Sequence, residues 1–141
     1  MELGKSYEEI SLGDKATFTK TVTEADVVMF AGISGDFNPV HINSEYAKTT
    51  QFKERIAHGP LTLSLIAPVI GMILPGLGSI LLDIQARFQC PVRIGDTITA
   101  EAEVSEKLAK NKFVRFKIRF TNQEGVEVIT GSVLVLPPSK D

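Results

Sequence analysis

From Leu61 to Leu74 the apolar residues Leu61, Leu63, Leu65, Ile66, Val69, Ile70, Ile73 and Leu74 fall on almost every side of a helix. A helix with no polar face must sit at the centre of a molecule with other structure wrapped around it. Pro60 suits the first helical position, where a missing N–H is no loss and the fixed φ is already helical. Pro68 does not suit an interior position: its ring opposes the carbonyl of Ser64 and one backbone bond is lost. A bend, or a second helical segment beside it, is expected there. The wider apolar stretch, Ile56 to Leu82, is broken by His58, Pro60, Pro68, Pro75 and four glycines, so it lacks the roughly 20 continuous apolar residues of a bilayer span.

What wraps the helix is written after Gly78. Four runs alternate apolar and polar residues: Ser79 to Gln89, Thr97 to Lys107, Phe113 to Asn122 and Glu127 to Leu136. Pro91 with Gly95-Asp96, then Ala109 to Lys112, then Asn122 to Gly125 supply the turns between them. A fifth run, Lys15 to Val22, precedes the helices. Helices bunched in the first half and antiparallel strands in the second predict an α+β domain spanning residues 1–141, one sheet curled around a buried helix. Such a sheet keeps free edges and an outer face, which predicts a homodimer that continues the sheet.

A chain of 141 residues, 43% apolar and 23% charged, is large enough to bury such a core without disulfides or a structural metal. The sole cysteine, Cys90, lies among Phe88, Gln89 and Pro91 and is expected to be a small buried hydrophobe in a reducing compartment. The N-terminal residues carry acids and no apolar h-region, so no signal peptide is expected and the cytoplasm is the default location. A net charge of −2 without a long block of either sign argues against nucleic acid as a partner. In the most basic region Arg115, Lys117 and Arg119 alternate with Val114, Phe116, Ile118 and Phe120, the mark of a strand with one wet face.

Between the first strand and the central helix, Thr23 with Asp26 forms a weak capping box before a helix that ends near Gly32. Ile33 to His41 has no sustained period and is expected to be an ordered loop. Asn43 or Ser44 then caps a short helix through Lys48. Asp36 and His41, five positions apart, can be brought together by a loop containing Pro39 and tied by the Asn38 side chain. A carboxylate and an imidazole are sufficient to handle one water and a second proton. From the residues alone, Asp36 bracing the turn and His41 packing against Tyr46 is equally open. His58 either fixes the helix entrance through backbone carbonyls or acts in catalysis. Two histidines and one cysteine without H-E-x-x-H or paired-cysteine spacing give no metal site. No G-x-S-x-G elbow, phosphate loop or dinucleotide fingerprint is present either, and Ser64 is expected to be a buried helix hydroxyl bonded to the preceding turn.

The segment Phe30-Ala31-Gly32-Ile33-Ser34-Gly35-Asp36-Phe37-Asn38-Pro39-Val40-His41 resembles the hydratase motif of the MaoC-like (R)-specific enoyl-CoA hydratases and their acyl-carrier-protein dehydratase relatives. Ala47, Ile56-Ala57-His58-Gly59, Leu74 to Gly78, and Phe88 through Pro91 to Gly95-Asp96 resemble the same family in order and spacing. The resemblance implies a hot-dog fold, with Asp36 and His41 activating a water that adds to C3 of a trans-2-enoyl thioester. Gly59 matches the glycine whose N–H faces the thioester carbonyl, where it and the helix dipole stabilise the developing oxyanion. Asn38, His58 and Ser64 are supporting residues on this reading. The substrate is an acyl-CoA or acyl-carrier-protein thioester, coenzyme A entering as part of it and no cofactor being required. Its phosphates make Arg55, Lys110, Lys112 and Arg115 candidate contacts. A hot-dog thioesterase, or the binding subunit of a heteromeric dehydratase, are the competing readings. Pro60 and Ala67 depart from the family, where methionine and a site-organising serine are common, and they bear on the acyl chain accepted.

Overall fold

The computed structural model describes residues 1–141. A 3-10 turn (Tyr7–Glu9) leads into β1 (Lys15–Thr21), followed by the helices α1 (Glu24–Ser34), α2 (Pro39–Ile42), α3 (Ser44–Lys48), α4 (Gly59–Leu63) and α5 (Ile66–Pro68). A π-helical turn (Val69–Ile73) then precedes β2 (Ile80–Phe88), β3 (Thr97–Leu108), β4 (Phe113–Thr121) and β5 (Glu127–Leu136). The five strands form one antiparallel sheet in the order β1-β3-β4-β5-β2. The period-2 runs of the sequence therefore mark the strands to within a residue or two at each end.

The sheet's inner face is set by strict alternation. Val114, Phe116, Ile118 and Phe120 of β4 are wholly buried, as are Ile98, Ala100 and Ala102 of β3, whereas Lys117 and Arg119 point to solvent. Arg115 and Arg119 pair with Glu106 and with Glu101 and Glu127 on the neighbouring strands. Alanines at two inward positions of β3 leave room for α5 and the π-helical turn, which pack against that strand through a segment where Leu65, Ile66, Val69 and Ile70 are buried.

The central helix is broken beside Pro68, as the sequence predicts, and departs from expectation in its enclosure. It is segmented: α4 ends at Leu63, and α5 reaches only Pro68 before the winding loosens to the π-helical turn, whose closing bond runs from the Leu74 N–H to the Val69 carbonyl at 2.7 Å. Pro68 has no N–H to offer the Ser64 carbonyl, which accepts from the Ala67 N–H at 3.0 Å instead, so the α-helical ladder is interrupted there. It is also not enclosed on all sides, because Ala67, Met72 and Ile73 are exposed. The sheet closes over one side of the helix, and an all-round apolar pattern does not reveal which side is left open. Pro60 occupies the second helical position, after Gly59.

β2 is the sheet's other anomaly. All nine of its residues are exposed, among them Ile80, Leu81, Leu82, Ile84 and Phe88, and it pairs on one side only, with β5. Cys90 lies two residues beyond this edge strand and is exposed rather than buried. A curled antiparallel sheet holding a central helix against its inner face is the hot-dog fold. No helix is long and apolar enough to cross a membrane.

Candidate active site

The site begins where α1 stops. Thr23 and Asp26 start the helix with a reciprocal capping box, and Gly35, at φ 82°, ends it in the left-handed conformation that glycine adopts without strain. α1 thus runs two residues beyond Gly32, and the irregular segment shrinks to Gly35–Asn38. Its bonds are local. The Asp36 N–H donates to the Ser34 hydroxyl at 3.1 Å, and the Asn38 N–H donates to Asp36 Oδ1 at 3.1 Å. The Asn38 side-chain oxygen accepts from the Val40 N–H at 3.1 Å and so caps α2, with Pro39 at its start. Asn38 is the tie that the sequence suggests, and Asn43 caps α3 in the same way.

α2 carries His41 to the inside. The ring's Nδ1 lies 2.8 Å from the Ile56 carbonyl. A carbonyl only accepts, so Nδ1 carries the hydrogen and, in the neutral ring, Nε2 holds the free lone pair. That nitrogen stands 3.7 Å from Asp36 Oδ2. The carboxylate side chain is half exposed and the imidazole only 10% exposed, so the pair is open to solvent from the Asp36 side. Two acceptors at this separation do not bond each other, but one water can donate a hydrogen to each. The sequence suggests that Asp36 and His41 meet; the Ile56 carbonyl that selects the tautomer leaves no local signal in the sequence.

His58 is almost fully buried and joins both residues. Its Nε2 lies 2.9 Å from the Asp36 carbonyl, and its ring stacks on His41 with centroids 3.8 Å apart and planes 25° from parallel. Phe30 covers it at 4.9 Å between centroids. His41 therefore packs against His58. One ligand atom from each of Asp36, His41 and His58 lies within 4.8 Å of the others. One nitrogen of each ring is already engaged by a backbone carbonyl, His41 Nδ1 by Ile56 and His58 Nε2 by Asp36.

Gly59, beside His58, is the first residue of α4 and its N–H makes no bond within the protein. α4 is only five residues long, so the N–H itself, and not a macrodipole, is what Gly59 offers an oxyanion. A Cβ here would lie 2.8 Å from Phe88 Cε1, so a larger residue would displace that ring. Gly59 and Phe88 form walls of an apolar cleft of about 310 Å³ that also takes in Phe52, Ile56 and Ile129; Asp36 and His41 are not among its walls.

The remaining candidates lie elsewhere or are otherwise engaged. Ser64 is exposed, not buried, though its hydroxyl does return a bond, to the Leu61 carbonyl at 2.5 Å. Arg55 Nε donates to the His41 carbonyl at 2.7 Å and its Nη1 to Glu24 at 2.8 Å, so it braces α2. Lys112 donates to Glu8 at 2.7 Å, a bond that raises the lysine's pKa and lowers that of the glutamate. Arg115 pairs with Glu106 at 3.9 Å, and Lys110 is exposed in the β3–β4 turn. Phe120, Ile129 and Phe88 share one row of the sheet, and Arg115 lies five residues along β4 from it, about 17 Å at the rise of a strand. The three β3–β4 candidates are thus not gathered with Gly59 in this chain.

The fold is the hot-dog fold, and its candidate site links an acid–base pair, through the stacked ring of His58, to the unpaired N–H of the next residue, Gly59. The chain belongs to the MaoC-like domain family, whose pattern matches residues 9–126. It is 44% identical over 134 residues to an (R)-specific enoyl-CoA hydratase of Rhodospirillum rubrum, covering 95% of this chain and 92% of the relative. An (R)-specific enoyl-CoA hydratase of Aeromonas caviae is 38% identical over 133 residues, 94% of this chain and 99% of the relative. Among solved structures, unliganded R-hydratase PhaJ1 from Pseudomonas aeruginosa superposes with a TM-score of 0.92 at 46% identity, covering 97% of this chain and 88% of that one.

Proposed function

We propose that this protein catalyses the reversible hydration of trans-2-enoyl-CoA to (R)-3-hydroxyacyl-CoA, residues 1–141 acting as one MaoC-like hot-dog domain. The observation that carries the reading is the convergence of Asp36 Oδ2 and His41 Nε2 at 3.7 Å, with the His41 tautomer set by the Ile56 carbonyl. The named activity of relatives at 44% and 38% identity supports it. A water held by both acceptors has its hydrogens occupied and an oxygen lone pair free. Its oxygen adds to C3 as the pair removes one proton, and a proton is returned to C2 on the same face, so one water is consumed and nothing leaves. Charge moves onto the thioester oxygen as C3 is attacked, and the free Gly59 N–H is the donor suited to receive it.

Coenzyme A enters as part of the substrate, and the chemistry needs no resident cofactor. The same site serves the reverse dehydration, and the matching acyl-carrier-protein thioester is the alternative substrate. An apolar edge strand exposed along its whole length supports a homodimer in which a second copy continues the sheet beyond β2. Light scattering at micromolar concentration tests this: a dimer mass is expected, and a monodisperse monomer contradicts it.

The activity is tested by adding trans-2-butenoyl-CoA and longer enoyl-CoAs while following enoyl absorption, free thiol and product chirality together. Loss of absorption without thiol, yielding the (R) product, is expected. Thiol release with the enoyl absorption intact identifies a thioesterase instead, and turnover that requires an added partner identifies a binding subunit.

A further inference from the structure

We propose that His58 is the positioning residue of the Asp36–His41 pair, holding both members at once without touching substrate; this deepens the hydratase reading and rests on it. Asp36 belongs to a turn whose other bonds, from the Asp36 N–H to Ser34 and from the Asn38 N–H to Asp36 Oδ1, reach no further than two residues along the chain. Nothing in those bonds fixes the turn relative to the core. The bond of His58 to the Asp36 carbonyl does, across 22 positions of sequence, because His58 begins the central helical region and is 1% exposed.

The same ring sets His41. The imidazole of His41 is held at one edge by the Ile56 carbonyl, a single contact that on its own leaves the ring free to tilt about it. The stack with His58 removes that freedom by occupying one ring face, and Phe30 backs His58 in turn. Chemistry at His58 itself is disfavoured. A carbonyl only accepts, so Nε2 carries the hydrogen and Nδ1 is the bare nitrogen of the neutral ring. That Nδ1 is buried with no hydrogen-bond partner, and so has no route for handing on a proton. A side chain that ties one member by its backbone and the other by its ring face controls the carboxylate-to-imidazole distance, and a misplacement near 1 Å in such a pair costs on the order of 100-fold in rate.

Two substitutions separate the two contacts. His58→Gln keeps an N–H donor for the Asp36 carbonyl and loses the stack; His58→Phe keeps a ring on His41 and loses the donor. With trans-2-butenoyl-CoA, each is expected to lower kcat by about 10- to 100-fold with little change in KM, since positioning is lost and binding is not. In an Asp36→Asn background the same substitutions are expected to cost little more, because residues that act through one unit are not additive. The chain has two histidines, so each variant leaves His41 as the only imidazole signal in a proton spectrum. Its Cε1–H resonance is expected to shift in His58→Gln as the stacked ring is lost, a readout that does not require turnover. Wild-type kcat in both variants, a full second penalty on top of Asp36→Asn, or an unmoved His41 resonance in His58→Gln overturns the inference. If the resonance moves but wild type hydrates nothing, the hydratase reading fails and the role proposed for His58 fails with it; if Asp36→Asn is fully active, the Asp36–His41 assignment fails, and the role of His58 with it, while the hydratase reading stands. If Asp36→Asn collapses while both His58 variants turn over normally, the inference about His58 fails alone.

Discussion

β4 and the turn from Gly35 to His41 are built on opposite terms. β4 buries four large side chains completely on one face and leaves its charged residues to water, so its contribution is almost entirely apolar area. The turn buries none of its first six residues, only His41 at its end, and is held by short polar contacts to backbone groups. One region can lose a hydrogen bond and keep its shape; the other has little except hydrogen bonds. Stability should therefore reside in the sheet and chemistry in the turn, and damage to one should largely spare the other.

The largest stability effect expected is at Phe116. Replacement by alanine removes a wholly buried ring from the middle of β4 and should cost about 3 to 5 kcal/mol in a denaturation experiment, with turnover per folded molecule unchanged. A cost below 1 kcal/mol would mean that β4 is not the core strand described. Asn38→Ala should be the reverse case. Loss of the α2 cap should cost only about 0.5 to 2 kcal/mol, but turnover should fall well beyond what that loss explains, because Asn38 sets the path from Asp36 to His41. Unchanged turnover in that variant would show that the turn keeps its geometry without its tie.

The contrast also sets what was legible in the sequence. β3, β4 and β5 were readable because each has one face against the core and one toward water, and that difference is written every second residue. β2 reads as a strand for the same reason, but the exposure of both its faces and of Cys90 depends on what lies beyond the edge, which no local pattern records. The helix was readable as apolar and as broken near Pro68, whereas its open side, with Ala67, Met72 and Ile73, depends on how far the sheet curls. At the site, Asp36, Asn38 and His41 are close neighbours in sequence, and their meeting was within reach of turn chemistry. The Ile56 carbonyl and the His58 ring arrive from the next segment through tertiary packing. Charge alone marks the basic residues in the sequence, whereas the carboxylates that neutralise Arg55, Lys112 and Arg115 come from distant elements or the adjacent strand.

The water-handling role of the pair is tested most directly by Asp36→Asn, compared with wild type in the enoyl-CoA assay on samples matched for circular dichroism, mass and acyl-CoA binding. Asparagine preserves the shape of Asp36 and its acceptor for the Asn38 N–H but cannot take a proton. Hydration should fall by about 100- to 10,000-fold, the contribution of a positioned acid or base, with fold and binding intact. A folded variant that binds acyl-CoA and hydrates at a rate close to wild type would contradict the assignment of Asp36.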